Sequence, residues 1–160
     1  MAEARIFEDL KHDHDRQREL LEKLGETEGA SHERETLFET LRKELQAHAA
    51  AEEESLYATM LAVPDLREDA RHSVSEHKEV DDMLGELVAM GIGASEWTSK
   101  FEEMRHRYLH HIDEEEEEMF PAASEGLSAE DEKRISEVFE KRKPRELERA
   151  ANEQPGDARE

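Results

Sequence analysis

His48 and Glu52 stand four residues apart, and so do His111 and Glu115. The strings that hold them, "HAAAEEESLY" at 48–57 and "HIDEEEEEMF" at 111–120, lie 63 residues apart, and each places an aromatic nine residues after its histidine. Residues four apart are neighbours on one helix face. Each pair therefore offers an imidazole nitrogen and a carboxylate oxygen together, a donor set suited to first-row transition ions. The same offset maps His14 onto His77, Leu21 onto Leu84, Leu24 onto Leu87 and Phe38 onto Phe101. A duplicated helical hairpin with a pseudo-two-fold axis is the simplest source of such a repeat.

The elements that must position these residues are helices. Charged residues make up 41% of the 160 residues and hydrophobic ones 35%, so the core is small, and the long segments hold little Gly or Pro. Apolar residues recur at helical spacing over about 4–24, 31–63, 66–90 and 95–120. Ser31 reads as an N-cap of the second segment, Pro64 stops it, and "GIGAS" ends the third. A short fifth helix is expected from Ser128, where "SAED" resembles a capping box, with Ile135, Val138 and Phe139 as its apolar face. Beyond Pro144 the sequence becomes polar. The expected class is all-α, an up-down-up-down four-helix bundle, with the bundle at 1–126, the helical extension at 127–150 and a disordered tail at 151–160.

The inward seams follow 3–4 spacing. They read Phe7, Leu10, His14, Gln17, Leu21, Leu24; then Phe38, Leu41, Leu45, His48, Glu52, Ser55; then Ala70, Ser73, His77, Val80, Leu84, Leu87; then Phe101, Met104, Tyr108, His111, Glu115, Glu118. Each seam carries one histidine. Each histidine lies about as far from its turn as its neighbour does, so at about 1.5 Å per residue all six polar groups meet in one layer. Buried without partners, they would cost several kcal/mol each, comparable with the stability of a whole domain. A metal centre resolves that cost. Glu52 and Glu115 each have two oxygens and can bridge two ions, which divide the four histidines between them.

Of the acidic run at 113–118, only Glu115 and Glu118 are expected to face inward. His12, His32, His72 and His106 fall off the seams and are expected to be exposed. His110 with Glu114 offers a rival pair, but the seam and the repeat both select His111 with Glu115. Tyr57 and Tyr108 are expected to pack in the core, with hydrogen bonding to the site as the alternative.

The chain has no cysteine, which excludes disulfides and thiolate chemistry. Its net charge of -22 repels nucleic-acid phosphates and anionic lipid, so neither is an expected partner. No apolar run approaches the roughly 18 residues of a membrane span, and "MAEARIFEDLKHDHD" is too charged for a signal peptide. A cytoplasmic protein is the expectation.

The order His14, His48-x-x-x-Glu52, His77, His111-x-x-x-Glu115, with the strings "KHDHDRQRELLEKL", "EHKEVDDML" and "HIDEEEEEMFP", resembles the hemerythrin-like HHE cation-binding family over about residues 7–121. The resemblance implies a non-haem centre of two iron ions, oxo- or hydroxo-bridged, with small inorganic ligands such as O2, peroxide, NO and azide-like anions. Oxygen-carrying members have a further histidine where this chain has Ser73, and an aspartate where it has Glu116. The chain therefore matches the four-histidine, two-glutamate branch, implicated in peroxide removal, gas sensing and iron-centre repair. Ferritin-like bundles use the reverse polarity, Glu-x-x-His. Handling of small oxidants, including catalase-like turnover, is one expectation. Binding, storage or sensing of iron or oxygen without turnover is the alternative.

Overall fold

The computed structural model describes residues 4–153, and the tail expected at 151–160 lies outside the described residues beyond 153. Helix α1 spans Arg5–Gly25 and α2 spans His32–Glu52. The second rod continues through a π-helical turn, Glu53–Tyr57, into α3, Ala58–Leu61. A 3-10 turn, Pro64–Leu66, leads into α4, Arg67–Met90. The fourth rod is α5, Trp97–Glu114, a second π-helical turn, Glu115–Met119, and α6, Phe120–Gly126; α7 follows at Ala129–Ala150. No strand occurs among the described residues.

Local chemistry sets the boundaries. Ser31 accepts a hydrogen bond from the Arg34 N–H at 3.1 Å, and Ser128 from the Asp131 N–H at 3.0 Å, each satisfying an orphan donor of its helix. Gly91 ends α4 at φ 85°, a conformation that side chains with a Cβ avoid. Arg34 ties both interhelical turns at one end of the bundle. It donates to Thr27 O at 2.7 Å and Ile92 O at 3.1 Å, and its guanidinium lies 4.7 Å from the Trp97 ring centroid.

The four rods form a closed ring: α1 packs on α2 and α5, and α4 packs on α5 and α2. Every residue on the first three predicted seams is buried. Two apolar clusters fill the bundle. One gathers Phe7, Leu10, Leu56, Met60, Phe120, Ile135 and Phe139. The other gathers Leu21, Leu41, Leu84, Trp97, Phe101 and Met104. The polar layer lies between them.

Two features differ from the expectation. Glu118 is exposed and Met119 is buried in its place. The π-helical turn at Glu115–Met119 takes more residues per turn than an α-helix, so the position four after Glu115, not three, returns to the interior. The fifth helix is not short. It runs 22 residues, straight past Pro144. A proline in a helix interior removes one hydrogen bond, and contacts on both sides of it offset that loss. Upstream, Ile135 and Phe139 enter the apolar core; downstream, Arg42 donates to the carbonyls of Ala150 and Glu153, both at 3.1 Å.

Candidate metal centre

The six predicted residues come together. His14 and Glu52 are 0% exposed, His48 and Glu115 1%, His111 2% and His77 4%. They form two groups of four that share both glutamates: His14, His48, Glu52 and Glu115; and Glu52, His77, His111 and Glu115. Glu52 Oε1 lies 3.4 Å from His48 Nε2 and 3.3 Å from His77 Nε2, so one carboxylate faces a histidine of each group. Glu115 does the same through two oxygens, with Oε1 3.3 Å from His14 Nε2 and Oε2 3.5 Å from His111 Nε2.

Each imidazole is held from behind by a second carboxylate. His14 Nδ1 lies 2.6 Å from Glu116, His48 Nδ1 2.9 Å from Asp13, His77 Nδ1 2.7 Å from Glu53 and His111 Nδ1 2.8 Å from Glu76. An ionised carboxylate only accepts, so Nδ1 carries the hydrogen in every case. In a neutral ring that leaves the Nε2 lone pair free, the usual arrangement behind a metal-ligating histidine. These four carboxylates obey the repeat as well: Asp13 corresponds to Glu76 and Glu53 to Glu116.

All four Nε2 atoms, both Glu52 oxygens and Glu115 Oε1 are buried without a hydrogen-bond partner. Buried polar atoms are nearly always satisfied. These seven orphans are gathered in one place, with Glu52 Oε1 and Glu115 Oε1 3.3–3.4 Å from the imidazole Nε2 atoms they face, and they mark a place for a cation. The donor set of imidazole nitrogen and carboxylate oxygen fits a transition ion.

The electrostatics point the same way. Burial opposes charge on His48, but Asp13 and Glu52 outweigh it and raise its pKa to about 10. Burial likewise opposes charge on His77, where Glu52 and Glu53 prevail and raise it to about 9. His14 moves up against burial because of Glu115 and Glu116. Burial would push Glu52 up, but His48 and His77 hold it well below the ordinary glutamate value. Glu115 is raised, first by burial and then by the adjacent Glu52 carboxylate. Protons on His14, His48 and His77 thus stand in for the positive charge that this acidic layer requires.

Tyr57 breaks the pseudo-symmetry. Its hydroxyl donates to Glu115 Oε2, while its counterpart Phe120 stacks on His14 with centroids 6.1 Å apart. Burial, then the Glu115 and Glu52 carboxylates, keep Tyr57 protonated and so a donor. Tyr108 donates to Gln17 Oε1, and Gln17 donates to Glu44 at 2.8 Å. Ser73 is buried beside Met119 and shares a cavity of about 40 Å³ with His111 and Glu115. The off-seam histidines 12, 32, 72 and 106 are exposed, as is His110.

Sequence reasoning did not identify Asp13, Glu53 and Glu76 as partners of the site, nor Glu116 in that role. Each is the immediate neighbour of a ligand candidate and each obeys the offset. Lys143 was missed too. It reaches in from α7 to Asp13 at 2.6 Å and Glu44 at 3.1 Å.

The family model of the hemerythrin HHE cation binding domain matches residues 5–123. The crystal structure of a hemerythrin HHE cation binding domain-containing protein from Mycobacterium kansasii superimposes with a TM-score of 0.79. It is 26% identical in sequence, and the match covers 94% of this chain and 91% of the other. No curated protein matches the chain in sequence. Among the described residues, no helix is long and apolar enough to cross a membrane.

Proposed function

The chain belongs to the hemerythrin HHE cation-binding family, and from that premise we propose that it holds two iron ions and acts on small oxidants, peroxide above all. The observation that carries this reading is the set of seven buried, unpartnered donor atoms aimed at one another. His14 and His48 would hold one ion, His77 and His111 the other, and Glu52 and Glu115 would serve both. Bound there, a pair of irons supplies one-electron redox chemistry toward small oxygen and nitrogen species.

The protein's own part is positioning, proton placement and exclusion. Asp13, Glu53, Glu76 and Glu116 fix the ring orientations and the tautomers. Tyr57 places a proton at Glu115 Oε2. The apolar clusters on both sides of the layer exclude bulk water. Ser73 fills the position where another ligand would sit with a short hydroxyl turned to the Met119 sulfur at 3.6 Å, beside the cavity. That cavity of about 40 Å³ has room for a few atoms; by the same measure a water needs about 10–15 Å³. Peroxide or a diatomic gas fits that space.

The test is steady-state peroxide consumption by the iron-loaded protein. Turnover removes many equivalents per centre. Consumption of about one equivalent would instead support the alternative, binding or sensing without turnover, and overturn the enzymatic reading.

A further inference from the structure

On the outer face of α4 and α5, a second group of donors converges at the mouth of the cavity. His72 Nε2 lies 3.4 Å from Glu76 Oε1 and 3.2 Å from Glu114 Oε1. Glu114 Oε2 in turn lies 3.3 Å from His110 Nε2. The side chains grade inward: His72 is 55% exposed, Glu114 30% and Glu76 11%. Glu76 belongs to both places, since the same Oε1 accepts from His111 Nδ1 at 2.8 Å.

The wall of this cavity also includes two residues of the buried centre, His111, 2% exposed, whose Nε2 has no hydrogen-bond partner, and Glu115, 1% exposed. Ligand-type side chains thus run along the cavity wall from the surface to the interior, from His72 and Glu114 to Glu76 and then to His111 and Glu115. The pseudo-symmetry sharpens the contrast. Asp13, the counterpart of Glu76, is capped by the Lys143 ammonium at 2.6 Å beneath α7. On that side the protein supplies its own cation. On the Glu76 side the neighbours are imidazoles, which donate lone pairs to a cation when neutral.

We propose that His72, Glu76 and Glu114 form an accessory divalent-cation site through which metal enters the buried centre. Carboxylate and imidazole together suit the borderline ions Fe(II), Co(II) and Zn(II). Three partly exposed ligands bind more weakly than a buried set, and an entry site that passes its ion onward must do so. The strongly acidic chain, with a net charge of -22, enriches cations at such a mouth. The proposal rests on the reading of the centre as a metal site.

The experiment compares wild type with His72→Ala/Glu114→Gln. Glu76 is left intact because it orients His111. Calorimetric titration of the apo-protein with Zn(II) should resolve two tight ions and one weaker ion per chain in wild type, and only the two tight ions in the variant. The rate at which anaerobically added Fe(II) becomes inaccessible to a chelating dye should fall several-fold in the variant, with the final iron content unchanged. Two tight ions without a third in wild type, a third ion retained in the variant, or an unchanged loading rate would each overturn the accessory site. Absence of the two tight events in wild type would overturn the reading of the centre, and the relay with it.

Discussion

Removing one outer carboxylate should empty one half of the centre and spare the other. Asp13→Ala takes away the acceptor 2.9 Å from His48 Nδ1. It also takes away the negative charge that, with Glu52, raises the His48 pKa to about 10. Loss of an outer-shell partner of this kind costs about 10–100-fold in metal affinity, or about 1.4–2.7 kcal/mol. The larger value is expected, because His48 is 1% exposed and water cannot readily replace the lost acceptor. The effect should fall on the ion held by His14 and His48. The other pair keeps its own carboxylates, Glu53 at 2.7 Å and Glu76 at 2.8 Å. The fold should survive, since Lys143 retains Glu44 at 3.1 Å. Chelator competition followed by metal analysis is the assay. The expected result is one readily stripped ion and one retained at wild-type affinity. Equal weakening of both ions, or no change in either, would refute the division of the site into two histidine pairs.

Three further outcomes are expected. Glu52→Ala and Glu115→Ala should each deplete both ions in metal analysis, whereas His106→Ala, on an exposed residue, should leave the metal content unchanged. Ser73→His should place an imidazole in the cavity beside His111 and Glu115, and azide titration of the iron-loaded variant should show slower and weaker binding than wild type. The melting temperature of the apo-protein should fall as pH rises from about 7 to 10. Folded-state pKa values of about 10 for His48 and about 9 for His77, above the ordinary 6.5, give stability that is fully present below 6.5 and lost as those groups deprotonate. Metal-loaded protein should lack this decline, and loading at pH 7 should release protons to an indicator dye.

The bundle and the six central residues were legible because two periodicities coincided. Helical spacing put Leu10, Leu41 and Leu84 on the same seams as His14, His48 and His77, and the 63-residue offset related the two halves. The outer carboxylates were harder to see. Asp13, Glu53, Glu76 and Glu116 sit among many solvated acids, and only their adjacency to a ligand combined with the offset distinguishes them. The π-helical turns were not legible, because Glu53–Tyr57 and Glu115–Met119 have the composition of ordinary helix. At the end of each widened turn an aromatic ring packs on a histidine of the centre, Tyr57 on His77 and Phe120 on His14, contacts that only the folded bundle provides. The extent of α7 matches the expected extension at 127–150, but its continuity through Pro144 was not legible, because the local cost of that proline is outweighed by contacts from Ile135, Phe139 and Lys143 that only the folded bundle provides.

Metal analysis of the freshly purified protein, repeated after anaerobic reconstitution with Fe(II), tests the central claim most directly. The account predicts about two iron ions per chain, with near-ultraviolet absorption from oxo-bridged ferric iron after exposure to air. A chain that takes up no transition metal under those conditions would contradict it.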